Sequence, residues 1–291
     1  MEFLTPDKKI IKVPICKLSG YQNDRQQSKP IDNLLTQEIN AETAYIHINS
    51  FESSFIKNDG DRLKQFFLQS KGKYKKLLID LRGNTGGEIT YWIDNLVKPF
   101  IKEPQSYTTK TAIKKKFIYR MKEHLLYYRL ATVNDLFDKN YNHISKIKRI
   151  KTKELDSKDW IIYSITKSFQ PVNSFDFDGK IYILVNQDTL SAADSFVSAV
   201  KELGFATVVG TNTLGWGNHY IQPVLFSLPN SGLMFQMDVE LAYNAEGRET
   251  SIYGTMPDIY IEPSTYPTSL PVSYEVSDLV KDKVISWILN H

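Results

Sequence analysis

An α/β fold, with a sheet covered on at least one face, follows from three features of this chain. Short apolar runs of strand length recur along it, segments of helical period separate them, and polar, glycine-containing turns mark the joins. The strand-like runs are Ala44–Asn49, Lys76–Leu81, Lys180–Asn186, Ala206–Thr211, Pro223–Ser227 and Leu233–Glu240. The helix-like segments are Ile56–Leu68, Glu88–Phe100, Ile113–Leu130, Ser191–Leu203 and Tyr274–Leu289. Gly204 stands just past the fourth of these, where a helix stop belongs. Upstream, Lys8 to Ile15 is a strand-like run leading into the polar Gly20 to Lys29. Residues 1–40 therefore read as the end of a preceding region and residues 41–291 as the main domain.

Composition narrows the class. The 291 residues can bury a large core as one big domain or two modest ones. At 42% hydrophobic and 24% charged residues, disorder is not expected. A single cysteine, Cys16, excludes an intramolecular disulfide framework. No run of about 18 apolar residues is present to span a membrane, and no signal-peptide pattern opens the chain. The net charge of +3 hides an asymmetry: residues 101–160 hold 15 Lys/Arg against 7 Asp/Glu. There, Ile113, Phe117, Met121 and Leu125 form one apolar helical stripe opposite a basic face that includes Lys114, Lys115 and Lys116. A solvated basic face is commoner than a nucleic-acid site, and no nucleic-acid partner is expected.

Two turns carry chemistry. The apolar run Ile181–Val185 leads through Asn186, Gln187, Asp188, Thr189 and Leu190 to Ser191, at the start of a helix of small residues. Helix-start N–H groups have no acceptor of their own, and the helix dipole adds positive charge there. An oxyanion formed by attack of Ser191 on a carbonyl would meet donors already aimed at it. Ser191 and Asp194 also fit a plain capping box, and that alternative stands beside the nucleophile reading. The second turn is Asp80-Leu81-Arg82-Gly83-Asn84-Thr85-Gly86-Gly87, again at a strand end. Its glycines permit positive φ and close backbone approach, so the Gly86 and Gly87 N–H groups could line an anion pocket. No Gly-Lys-Ser/Thr follows, so it is not a phosphate-binding loop.

Asp80 to Gly87 resembles the D-L-R-x-N-x-G-G signature of the S41-type carboxyl-terminal processing, or tail-specific, serine peptidases. Four further elements fit in order: the strand Tyr45 to Phe51, the nucleophile strand and turn Ile183 to Ser191, the continuation Lys201 to Thr213, and the closing Gly254 to Ile259. The resemblance implies a crotonase-like core of stacked ββα units, with the basic stretch at about 101–170 as an inserted helical segment. It implies Ser191 as nucleophile, with the N–H groups of Ala192 and Gly87 as the two oxyanion donors. It implies neither cofactor nor metal, a protein or peptide substrate, and a location that is periplasmic, secreted or membrane-tethered. A homo-oligomer is compatible with it.

The chain departs from the lysine-dependent branch of that family. Thr213-Leu214-Gly215-Trp216-Gly217 places Trp216 where those members carry their lysine, and an indole N–H cannot accept a proton. The pattern is closer to the tricorn-like branch, whose glutamate corresponds to Glu249, with Glu246 as the fallback. That branch's histidine precedes the strand at Tyr45, yet residues 1–44 contain none. Among His47, His124, His143, His219 and His291, His219 is nearest the expected place. Two expectations compete: a base from an N-terminal region absent from this chain, which is then nearly inactive alone, or a catalytically inactive peptide- or ligand-binding scaffold. The first is preferred, and an acyl-CoA enzyme of related fold finds no support in the sequence. If the basic face selects acidic tails, reversing Lys114, Lys115 and Lys116 to glutamate will slow cleavage of acidic-tailed peptides more than neutral ones in a peptidase assay.

Overall fold

The computed structural model describes residues 2–4, 10–12, 32–115, 159–172, 175–219, 224–227, 230–231, 234–244, 246–262 and 274–291. The chain forms two compact units, Met1–Asp32 and Asn33–His291. In the first, β1 (Glu2–Leu4) pairs antiparallel with β2 (Ile10–Lys12).

The second unit is built on a six-stranded mixed sheet. Its strands are β3 (Leu34–Asn40), β4 (Thr43–Ile48), β5 (Lys76–Asp80), β8 (Lys180–Val185), β9 (Thr207–Gly210) and β13 (Ile259–Tyr260), in the order β13-β9-β8-β5-β4-β3. All neighbours are parallel except β3 and β4. Parallel strands need crossovers, and α1 (Ile56–Ser70) and α3 (Ala192–Leu203) supply two of them. The apolar runs are nearly continuous because both faces are covered. Ala44, Ile46, Leu77, Ile79, Ile181, Ile183 and Val208 join the core that holds α1 and α3. Tyr45, Leu78, Tyr182, Leu184 and Val209 face the other way, onto α5 (Val276–Leu279) and α6 (Lys283–Asn290). Gly204 ends α3 in the left-handed conformation, φ 69°.

Several expected elements differ. The helix expected over Glu88–Phe100 is a single turn, α2 (Ile89–Trp92), followed by a π-helical turn over Ile93–Val97. Asn95 there turns its side-chain amide onto the Ile56 carbonyl at 3.0 Å, and Pro99, which has no N–H, prevents continuation. The C-terminal helix breaks in two because the Asp282 carboxylate caps α6, accepting from the Val284 and Ile285 N–H groups.

Ile113 and Lys114 are not the start of a helix. They end β6 (Gln105–Lys114), which pairs antiparallel over its whole length with β7 (Trp160–Phe169). The rest of the expected basic helix, from Lys116 through Leu130, and His124 and His143 lie outside the described residues. β6 also pairs with β12 (Glu240–Tyr243), so the run expected over Leu233–Glu240 divides into β11 (Met234–Met237), hairpinned with β10 (Val224–Ser227), and β12. α4 (Thr250–Tyr253) follows.

A buried polar cluster joins the sheet to α6. Arg82, 3% exposed, donates to Asp80 at 2.6 Å and to Asp282 at 2.8 Å. Burial alone would raise the Asp80 pKa, but the charge and hydrogen bonds of Arg82 bring it below its ordinary value. Tyr45 donates to the same carboxylate at 2.8 Å. His47 is buried, packs its ring 4.7 Å from that of Tyr274, and bonds the Tyr274 hydroxyl through Nε2 at 2.9 Å. Burial, partly offset by the Asp80 charge, holds the His47 pKa below 6.5. As pH falls below that ordinary value, the unfolded chain takes up a proton that the folded chain refuses, so stability drops. Urea unfolding from about pH 8 to about pH 5 will show the wild type losing more stability than His47→Gln. Equal losses would remove the assignment.

Candidate active site

Three loops meet at the carboxyl ends of adjacent strands, where open parallel sheets gather ligands. The Asn84 carbonyl accepts from the Leu190 N–H at 3.0 Å, tying the loop after β5 to the loop after β8. The Gly215 carbonyl accepts from the Ser191 N–H at 2.8 Å, adding the loop after β9. Asn84 also donates through Nδ2 to the Ile48 carbonyl at 3.0 Å and accepts from the Gly86 N–H at 2.8 Å. The first turn is thereby fixed from both sides.

Ser191 is half-buried and sits at φ 56°, ψ −120°, a conformation costly for any residue with a Cβ. Strain of that kind is about 1–3 kcal/mol and persists only where surrounding bonds impose it. Here the imposing bonds are the one to Gly215 and the one from the Ser195 N–H to the Ser191 carbonyl, 2.9 Å. The Ser191 hydroxyl makes no capping bond.

The glycine turn lies directly against this serine. A Cβ built on Gly86, at φ 92°, would stand 2.7 Å from the Ala192 nitrogen and 2.9 Å from the Ser191 Cβ. Neither the Ala192 N–H nor the Gly87 N–H has an acceptor among the described residues. Gly87, at φ 140°, runs against the backbone of Phe51 and bridges to it as in a parallel sheet. Ser191, Ala192 and the Gly86–Gly87 turn are thus brought together.

The capping alternative fails at Asp194. Its carboxylate is fully buried and reaches across to the 213–217 loop, accepting from Thr213 Oγ1 at 2.6 Å and the Gly217 N–H at 3.0 Å. Burial raises its pKa, opposed by these donors. Beside it, Ser195 Oγ accepts from the Asn218 N–H at 2.7 Å, and Tyr107 donates its hydroxyl to Asn218. Sequence reasoning did not identify Asp194, Ser195 and Asn218 as this framework. For Asp194 and Ser195 the available signal was their place in a helix of mostly small and apolar residues, whose polar members must find partners where it packs inside; for Asn218, in the loop after β9, there was none.

Trp216, 44% exposed, takes positive φ in this loop and stacks on His219 at 6.3 Å. His219 bonds Ser251 Oγ through Nε2 at 3.1 Å, while its Nδ1 is buried without a hydrogen-bond partner. Asp238 faces the same group; burial raises its pKa, the His219 charge lowers it and that of Glu249 raises it. The Glu249 carboxylate caps α4, accepting from the Ser251 and Ile252 N–H groups at 3.1 and 2.8 Å. Glu246 instead pairs with Lys201 at 2.8 Å. His47 lies in the Asp80 cluster, and His291 packs on Trp287 at the C-terminus. No hydrogen bond joins a histidine or Glu249 to Ser191 among the described residues. Among them, no group of three or more His, Cys, Asp or Glu is placed to hold a metal ion.

The family model described as peptidase family S41 matches residues 42–261. The chain belongs to that family. The match spans the Asp80–Gly87 signature, the Ser191 turn and the closing Pro257-Asp258-Ile259, where Asp258 clamps β9 through the Val208 N–H at 2.9 Å. No curated protein sequence matches the chain. Among solved structures, it is similar to a protein from Parabacteroides merdae ATCC 43184 provisionally described as a peptidase: 18% identity, TM-score 0.56, covering 89% of this chain and 64% of that one. It is similar to mature CPAF complexed with lactacystin at 14% identity and TM-score 0.51, covering 88% of this chain and 52% of that one. The photosystem II D1 C-terminal processing protease aligns at 18% identity and TM-score 0.44, over 76% of this chain and 42% of that one. At such identities the likeness in TM-score above one half shows the S41 fold alone, and the chain spans less than two thirds of these structures' lengths.

Gly86→Ala tests the close approach. It adds a backbone collision to unfavourable φ, whereas Gly72→Ala, at φ 71° with nothing within 4 Å, adds only the φ term. Urea unfolding will show Gly86→Ala destabilised by at least about 1–3 kcal/mol more than Gly72→Ala.

Proposed function

We propose that this chain carries the catalytic core of a serine peptidase of the carboxyl-terminal processing type. The observation that carries the reading is the strained Ser191, its hydroxyl uncapped, against a diglycine turn and an unpartnered Ala192 N–H. In this reading Ser191 Oγ attacks a peptide carbonyl, forming a new O–C bond and a tetrahedral oxyanion. The N–H groups of Ala192 and Gly87 hold that oxyanion. Collapse breaks the C–N bond as the leaving amine takes the proton that the Ser191 hydroxyl gave up, and water then attacks the acyl carbonyl, releasing the acyl group as a carboxylic acid and returning a proton to Ser191 Oγ. Glu249 acts indirectly here, by fixing the turn of α4 that backs Gly215.

The same reading assigns residues 41–291 to the peptidase domain with crotonase-like ββα stacking, the basic stretch at about 101–170 to an insertion, and the protein to a compartment outside the cytoplasm. No helix among the described residues is long and apolar enough to cross a membrane.

A second reading, a scaffold that binds peptides without cutting them, is favoured by Trp216 in the place of the family lysine. A fluorophosphonate probe separates the two. Covalent labelling at Ser191, read by peptide mass mapping and abolished in Ser191→Ala, supports the peptidase. Where turnover is measured, Ser191→Ala will lower it by at least about a thousandfold. Absence of labelling, or unchanged turnover in the variant, would overturn it.

A further inference from the structure

A cleft of about 420 Å³ opens beside the nucleophile loop, lined by Gln187, Thr211, Leu214, Ile252, Tyr253 and Tyr260 among others. Eight large apolar side chains are exposed among the described residues, and four of them line this cleft: Leu214, Ile252, Tyr253 and Tyr260, at 50%, 72%, 54% and 60%. That concentration is unlike the scattered single exposures of an ordinary surface.

These side chains are held outward by fixed backbone. α4 is capped by Glu249, and Thr250 Oγ1 donates to the Gly217 carbonyl at 2.8 Å. Asn212 Nδ2 donates to the Tyr253 carbonyl at 3.4 Å across the cleft wall. Tyr260 is fixed by its hydroxyl, which donates to Glu262 at 2.5 Å. An occupant would therefore lose its own freedom on binding, while the protein gives up little.

The cleft shares a wall with the candidate nucleophile. The Leu214 N–H donates to the Thr189 carbonyl at 2.9 Å, and the next residue, Gly215, accepts from the Ser191 N–H. The cleft is thus joined to the Ser191 turn through one residue of backbone. Its polar lining, Gln187, Thr211 and Asn212, suits a peptide backbone, and its exposed carbons suit a large side chain. Glu262, the charged residue of the lining, disfavours an acidic one.

We propose that this cleft is a specificity subsite for a large apolar side chain, leucine or an aromatic, on an extended polypeptide flanking the bond presented to Ser191. Its placement rests on the reading of Ser191 as nucleophile, but occupancy of the cleft needs no turnover. The test uses Ser191→Ala protein and fluorescent peptides identical except for one residue, scanned through the sequence as leucine, serine or aspartate. Anisotropy is expected to show one position at which leucine binds about tenfold or more tightly than aspartate. Ile252→Ser with Tyr253→Ser should erase that preference, while Leu68→Ser, outside the cleft, should keep it. A preference that survives the double substitution, or no preference at any position, would overturn the proposal. So would a double variant that alters only the sedimentation of the protein, since the cleft would then be covered by a second copy. Failure of fluorophosphonate labelling at Ser191, with the binding preference intact, would instead fault the peptidase reading.

Discussion

The bonds from the Leu190 N–H to the Asn84 carbonyl and from the Ser191 N–H to the Gly215 carbonyl lock three loops into one layer. Everything at the site depends on that layer. It is possible because β5, β8 and β9 are parallel neighbours, so their carboxyl ends open on the same edge. The loops then lie close enough to pair backbone to backbone, as strands do. Two isolated bridges, Phe51 to Gly87 and Leu190 to Gly215, extend the sheet's pairing beyond its named strands.

That pairing decides which residues must be glycine and which may be strained. Gly86 faces the Ala192 nitrogen too closely to carry a side chain, and Gly87 faces Phe51 in the same way. Ser191 keeps its Cβ in an unfavourable backbone conformation because its neighbours on both sides are bonded in place. The buried carboxylate of Asp194 performs the parallel task for the loop that carries Trp216. A charge is costly to bury alone, and donors from Thr213 and Gly217 compensate it. The loop's conformation and the helix's buried acid are thus mutually dependent. The signature residues Asp80 and Arg82 act differently: they pin the end of β5 to the cap of α6 through Asp282 and take no place beside Ser191.

Much of the sheet was legible in the sequence because burial on both faces leaves an unbroken apolar run, a strong local signal. Ala44–Asn49, Lys76–Leu81 and Lys180–Asn186 each match a strand to within a residue at either end. β3, β6, β7 and the two-residue β13 were missed; in β3, Leu34-Leu35-Thr36-Gln37-Glu38 mixes polar with apolar residues, since an edge strand needs only partial cover. The stripe beginning at Ile113 fits helix and strand at its first residues alike, and ten pairings with β7 decide for strand through Lys114. Ser191 and the diglycine turn were legible as chemistry, and as neighbours through resemblance. Capping by Asp194 stayed open as an alternative because a Ser-x-x-acid spacing is the same whether the acid turns back or reaches across.

By itself the sequence determined the class of fold, the two polar turns at strand ends, and the absence of a lysine at position 216. Those are local facts: period, glycine content and residue identity act within a few positions of the chain. Tertiary structure alone decided that Gly86 touches Ala192, that Asp194 serves the Trp216 loop, and that exposed apolar side chains from residues 214, 252, 253 and 260 ring one cleft. Each of those joins segments far apart in the chain. Such meetings are set by sheet order and by competition among buried polar groups for partners, and neither leaves a periodic mark on the sequence.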